Sequence, residues 1–310
     1  MSEDGQASDA LVIGPPANLI TGVIKAIRPR QWMKNVLVLA APLSAAGRGH
    51  RYDYGQLGIQ VSVAFVVFSL AASAVYLIND VRDVEADREH PTKRFRPIAA
   101  GIVPEWLAYA LAVVLAAASL GLAWWLTPNL TVVMAVYIAM QLGYCFGLKH
   151  QAVTDVFCIA SGFMLRILAG TWGIRIAPSG WLLLTGMFIT LFLGFAKRRA
   201  EWADGPGTTL RRPVLDVYSP ELLDTFLSIT GTGAVLSYGL YTLDAKTIAL
   251  HHTDKLIYTL PFVLFGLFRY LFLLHRHKKG ENPSADVFTD HQIIICALAY
   301  AGTALWLLNR

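Results

Sequence analysis

Nine long apolar stretches dominate this sequence and leave little choice of fold. Runs of roughly 17–25 predominantly apolar residues are the length that crosses the hydrocarbon core of a bilayer as a helix. They occur near residues 32–46, 57–78, 105–126, 129–148, 153–174, 181–196, 222–243, 256–274 and 291–308. The first and sixth are short, and Pro42 disturbs the first. Only 15% of residues are charged, against roughly 25% in soluble domains, and the mean hydropathy is +0.50. The expected fold is all-α, a polytopic bundle of nine transmembrane helices. Residues 1–17 are polar, with Glu3, Asp4 and Asp9, and lack the basic flank and apolar core of a signal peptide. They are expected to form a disordered cytoplasmic tail ahead of a single transmembrane domain over residues 18–310.

The basic residues orient the bundle. With nine spans, eighteen of the 26 Lys and Arg fall on the side of the N-terminus, and six on the other. Basic loops stay on the cytoplasmic side, so the N-terminus is expected inside and the C-terminus outside. The net charge of +5 is then a topology signal and an attraction for anionic lipid, and implies no nucleic-acid partner. Cys145, Cys158 and Cys296 all sit in apolar segments without metal-ligand spacing, so they imply neither zinc nor redox chemistry.

Against this background the connection Leu77–Gly101, "LINDVRDVEADREHPTKRFRPIAAG", is exceptional. If the second span continues as a helix, Asp80, Asp83 and Asp87 fall at i, i+3 and i+7, with Asn79 four residues before Asp83. All four then lie near one face. Like charges at that spacing repel, and a counter-cation removes the conflict. Carboxylates and an amide, without sulfur or imidazole, suit a hard ion such as Mg²⁺, which takes further ligands from water and substrate phosphates. Lys93, Arg94 and Arg96 follow at once and, with Arg82, supply the cations that a diphosphate needs. Most charged loops beside a membrane are simply solvated; the regular acid spacing and the adjoining basic block set this one apart.

The run Asn79–Asp87, followed by Arg96-Pro97-Ile98, resembles the first aspartate-rich motif of the UbiA superfamily of intramembrane prenyltransferases. The resemblance covers the chain from about residue 25 onward. It implies nine helices around a cytoplasm-facing cavity, and a prenyl diphosphate held through Mg²⁺ by two acidic motifs. Tyr144 and Lys149 resemble a tyrosine and a lysine that line that cavity. The second motif of the superfamily is D-x-x-x-D after span six, where this sequence reads "GFAKRRAEWADG". Lys197 stands in place of the first aspartate and Glu201 in place of the second, with Arg198 and Arg199 beside them. Fewer acids and more cations suit a substrate with additional phosphate.

The stretch "IRPRQWMKNVLVLAAPL", Ile27–Leu43, resembles the N-terminal signature of the decaprenyl-phosphate phosphoribosyltransferase branch. That branch moves 5-phosphoribose from phosphoribosyl pyrophosphate to a polyprenyl phosphate, toward the arabinose donor of certain bacterial cell walls. The resemblance implies catalytic roles for Asp80, Asp83, Asp87 and Lys197, with Mg²⁺ on Asp80, Asp83, Asp87 and Asn79. Arg82, Lys93, Arg94 and Arg96 would bind the pyrophosphate, Lys197, Arg198 and Arg199 the 5-phosphate, and Glu201 the ribose. Arg28, Arg30, Gln31, Lys34 and Asn35 form a polar rim that serves either substrate or interfacial anchoring, and a homo-oligomer is compatible with such a bundle.

Asp155 and Arg166 are ionisable groups in or near span five, where charge is costly; they stand eleven residues apart, far for direct pairing along one helix. Asp286 and Asp290 form a second D-x-x-x-D before the last span, and are a weaker metal candidate. His251-His252 lies on the outer face by the charge count and carries no expected role. Two other readings stay open: a conventional prenyltransferase with an aromatic acceptor, which Lys197 disfavours, and a secondary transporter, which the absence of halves with midplane charge disfavours.

Overall fold

A computed structural model of the chain describes residues 14–39, 53–203, 213–276 and 290–308. Among these, every regular element is helical. They are α1 (Leu19–Ala26), a 3₁₀ segment (Pro29–Val36), α2 (Tyr54–Arg82), α3 (Val84–Glu89), α4 (Glu105–Leu126) and α5 (Pro128–Phe146). There follow α6 (Thr154–Ala169), α7 (Gly180–Ala203), α8 (Pro220–Leu243), α9 (Ala245–His251), α10 (Leu260–Arg276) and α11 (His291–Leu308). A backbone in lipid has to pair with itself, which a helix does. The chain is a multi-pass membrane protein.

Seven helices among the described residues are long and apolar enough to cross a bilayer. They match the expected second to sixth, eighth and ninth stretches. The expected seventh is also a helix, α8, but a more polar one. Its hydroxyls turn back onto the helix: Thr225 donates to the Glu221 carbonyl at 2.8 Å, Ser228 to Asp224 at 2.9 Å and Thr230 to Phe226 at 2.7 Å. Side chains satisfied in this way carry little polar demand. The expected first stretch differs. From residue 29 to 36 it is a 3₁₀ segment, entered through Arg28 in the left-handed region at φ 54°, and residues 40–52 lie outside the described residues. Residues 1–13 of the expected tail and Asp286 also lie outside them.

Each long helix packs mainly on its neighbours in sequence, α2 on α4, α4 on α5, α5 on α6, α6 on α7, α7 on α8 and α10 on α11. α2 and α6 are the innermost, each with 61% of its apolar window buried, against 17–28% in the other five spans. α4 shows its lipid face plainly. Trp106 at one end is 70% exposed, and Trp124 and Trp125 at the other are 68% and 71% exposed. Eighteen residues of helix put these indoles about 27 Å apart, close to a bilayer's apolar thickness and suited to an aromatic belt at each surface.

One glycine fixes how the N-terminal segment meets the bundle. Gly170, at the end of α6, lies against the backbone carbonyl of Val38, and a Cβ there would fall well inside van der Waals contact with it. No rotamer relieves a clash with backbone. Gly170→Ala is therefore expected to destabilise the fold by about 1–3 kcal/mol, the usual cost of overpacking. A thermal-unfolding scan in detergent checks this, and an unchanged midpoint would show that the segment yields.

Candidate active site at the acidic motif

α2 runs on past its apolar stretch, and this carries Asn79, Asp80 and Asp83 to one end of the bundle. Asp83 is a kink between α2 and α3 at φ −99°. The kink divides the acids into two groups. Asp80 (2% side-chain exposure) accepts from Arg28 Nη2 at 2.5 Å and Arg96 Nη1 at 3.1 Å. The same Arg96 Nη1 donates to Asp87 Oδ2 at 2.6 Å, where the side chain is 5% exposed. Burial pushes the Asp87 carboxyl up, against the pull of Arg96. Asp83, 30% exposed, instead accepts from Asn79 Nδ2 at 3.1 Å and from Lys149 Nζ. The Cys145 thiol donates to Asn79 Oδ1 at 3.6 Å, which ties the end of α5 to this group.

The expected four-ligand set is therefore not one cluster in this structure, and among the described residues no three acidic, histidine or cysteine groups converge as metal ligands. Asp83 and Asn79 retain oxygen atoms of the hard type that Mg²⁺ takes, on a carboxylate reachable by solvent. Asp80 and Asp87 are committed to arginines. Arg28 and Arg96 in turn face a pocket of about 160 Å³, lined with Lys25, Asp80, Thr92, Phe95 and Pro97. Two guanidiniums and an ammonium beside so small a space suit phosphate oxygens.

The remaining candidates sort by geometry. Lys93 acts on Asp87 electrostatically. Arg94 is exposed, with its guanidinium 4.9 Å from the centre of the Phe95 ring. Arg82 turns away from the acids onto the Phe146 ring at 5.0 Å, pinning α2 to α5, so its expected phosphate role has no geometric support here. Tyr144 is near enough to Arg198 to act on its charge.

The second basic segment is corrected most. Arg198 is 1% exposed and donates to Asp155 Oδ2 at 2.7 Å and to Glu201 Oε2 at 2.5 Å. Both acids absorb the arginine, so Arg198 and Glu201 brace α6 against α7 instead of facing phosphate and ribose. Arg199 is likewise taken by Asp224 at 2.9 Å, with His275 at 3.3 Å. Arg166 does not pair with Asp155; its Nε donates to Asn35 at 2.8 Å.

Lys34 is exposed, and Arg166, Lys197 and Arg28 act on it as like charges. Asp290 is not a metal ligand here. It caps α11, and the Arg269 guanidinium, at 2.9 and 3.2 Å, holds its pKa down at about 2. His252, Thr253, Asp254 and Lys255 line an open pocket between α9 and the end of α11, apart from the acids.

Comparison with known proteins gives the family. Residues 36–293 match the UbiA prenyltransferase family. The chain belongs to that family. Among its relatives, the decaprenyl-phosphate phosphoribosyltransferase of Mycobacterium tuberculosis is 51% identical, over 96% of this chain and 97% of that one. The proteins of the same description from Mycolicibacterium smegmatis and Corynebacterium glutamicum are 49% and 45% identical, over 98% and 92% of this chain and 96% and 86% of theirs. A UbiA homologue from Archaeoglobus fulgidus bound to GPP and Mg²⁺ shares the fold. It has a TM-score of 0.67 at 17% identity and matches 93% of this chain and all of that one.

Proposed function

We propose that this UbiA protein transfers 5-phosphoribose from phosphoribosyl pyrophosphate to decaprenyl phosphate and releases pyrophosphate, on the way to a cell-wall arabinose donor. The observation that carries this reading is the match, nearly end to end and at 45–51% identity, to three decaprenyl-phosphate phosphoribosyltransferases. Lys197 in place of an acid supports it, since a basic second segment suits a substrate with additional phosphate. The basic end of the bundle faces the cytoplasm of the bacterial plasma membrane, the arrangement favoured by the distribution of Lys and Arg. Nine spans follow if α8 and the stretch through residues 40–46 both cross. Residues 18–310 then form one transmembrane domain behind a short tail.

Asn79 and Asp83 would hold Mg²⁺, with substrate oxygens and water completing its shell. Bound there, Mg²⁺ would neutralise charge on the departing pyrophosphate. Lys149, already beside Asp83, takes pyrophosphate oxygens as they gain charge. Arg28 and Arg96, held in place by Asp80 and Asp87, orient the phosphates at the adjoining pocket. An oxygen of the lipid phosphate attacks the ribose anomeric carbon, forming a C–O bond as the bond to pyrophosphate breaks and its electron pair leaves with the pyrophosphate. The nucleophile is already ionised, so no general base is required. The protein supplies position and electrostatics.

The test gives the purified protein labelled phosphoribosyl pyrophosphate, decaprenyl phosphate and Mg²⁺. Label is expected in the organic phase, and EDTA is expected to stop its transfer. Failure of transfer, in protein that instead joins a prenyl diphosphate to an aromatic acceptor, would replace this reading with the conventional one.

A further inference from the structure

Phosphoribosyl pyrophosphate is anionic at both ends, with a pyrophosphate on C1, a phosphate monoester on C5 and the ribose ring between them. The two groups into which the kink divides the acids differ in what they can hold. Asn79 and Asp83, with Lys149, offer oxygens of the hard type that a metal takes. The pocket of about 160 Å³ belongs to the other group, Arg28, Asp80 and Arg96, with Lys25, Thr92, Phe95 and Pro97 around it.

The carboxylate of that pocket is already spent. Asp80 Oδ1 accepts from Arg28 Nη2 at 2.5 Å and from Arg96 Nη1 at 3.1 Å, and the same Nη1 donates to Asp87 Oδ2 at 2.6 Å. These pairs hold each guanidinium by one nitrogen. Nε and the second Nη of each are left for another acceptor, on side chains that are 25% and 27% exposed. Lys25 is exposed, and its ammonium makes only a long bond, 3.4 Å, to the Gly14 carbonyl. Three cations against Asp80 and Asp87 leave the pocket with positive charge in excess. The turn that carries Arg96 is fixed from outside it. His90 Nδ1 accepts from the backbone N–H of Thr92 and of Lys93, both at 3.2 Å, and the Arg96 N–H donates to the Lys93 carbonyl at 2.8 Å. A small recess with fixed cationic donors, and with its one acid committed, is the complement of a phosphate bound without metal. A pyrophosphate carrying Mg²⁺ needs more room and a carboxylate that is not already paired.

We propose that this pocket is the subsite for the 5-phosphate of the donor, held by Lys25, Arg28 and Arg96 without metal, while the pyrophosphate lies at Asn79, Asp83 and Lys149. This rests on the function proposed above, and makes the pocket the part of the site that selects a phosphorylated pentose. Asp80 and Asp87 position the two guanidiniums, and Lys25 adds the charge that those acids do not cancel.

Calorimetric titration of the full chain in detergent reads the two ends separately, with ribose 5-phosphate and inorganic pyrophosphate as probes, each in Mg²⁺ and in EDTA. Wild type is expected to hold ribose 5-phosphate in either condition and pyrophosphate only in Mg²⁺. Lys25→Gln is expected to weaken ribose 5-phosphate about tenfold, the scale of one hydrogen bond to a charged group, and to leave pyrophosphate within about twofold. The KM for phosphoribosyl pyrophosphate should rise by a similar factor with kcat within about threefold, as when ground-state and transition-state binding fall together. Arg28→Lys keeps a cation on Asp80 but removes the fork, and is expected to show the same pattern; if it melts below wild type, Lys25→Gln decides alone. Ribose 5-phosphate binding that requires Mg²⁺ overturns the assignment, and so does a Lys25→Gln loss that falls on pyrophosphate or on neither probe. Wild-type protein that binds neither probe and transfers no label to decaprenyl phosphate would sink the function itself, and the subsite with it.

Discussion

Asp83→Asn is expected to cut kcat by about 10²–10³-fold, the loss typical when one group aimed at developing charge is removed, while leaving the KM for phosphoribosyl pyrophosphate within a few-fold. The side chain keeps its size and its place beside Asn79, so the kink between α2 and α3 survives. What goes is the negative charge, which fixes Lys149 and in the proposed function would serve Mg²⁺. Lys149, released, still attracts pyrophosphate, so ground-state binding suffers little and the damage falls on the step in which charge builds on the leaving group. Steady-state kinetics with varied phosphoribosyl pyrophosphate separates the two effects. A loss below tenfold would move the burden of leaving-group stabilisation to Arg28 and Arg96.

Asp155→Ala should produce the largest stability loss of any single change at the basic segment, about 3 kcal/mol, the lower end of the range for breaking a buried ion pair. Arg198 and Asp155 are 1% and 0% exposed, so no solvent replaces the lost partner. Asp155 also accepts from the Tyr218 hydroxyl at 3.3 Å, and the variant severs that link too. Glu201, 20% exposed, stays on Arg198 Nη1, and this keeps the loss at the lower end. Denaturant or thermal unfolding in detergent measures it. A midpoint matching wild type would mean that Glu201 alone carries Arg198.

These two residues also mark where reading the sequence works and where it fails. Asn79, Asp80, Asp83 and Asp87 stand out because their spacing is local and their surroundings apolar, so a motif of nine residues announces a site. The long spans are legible for the same reason: each is a contiguous run whose hydropathy alone commits it to lipid. Partners are another matter. Arg28 reaches Asp80 across 52 residues, Lys149 reaches Asp83 across 66, and Asp155 reaches Arg198 across 43. No spacing rule foretells such pairs. Arg198 and Glu201 are expected ligands because they stand where the superfamily's second motif falls; only the helix packing shows that one face of that run is turned inward. The 3₁₀ segment was hidden inside an apolar stretch, its start set by Arg28 at positive φ and by Pro29.

The packing of each helix on its predecessor has a bearing on how the molecule comes into being. Contacts between sequence neighbours can form as the chain leaves the ribosome, since little loop entropy stands in their way. The bond between Asn35 and Arg166 spans 131 residues and cannot close until α6 has been synthesised and inserted. The N-terminal segment, made first, is thus among the last parts to dock, and the nascent protein passes through a stage that is membrane-integrated but lacks the bond from Arg166 to Asn35.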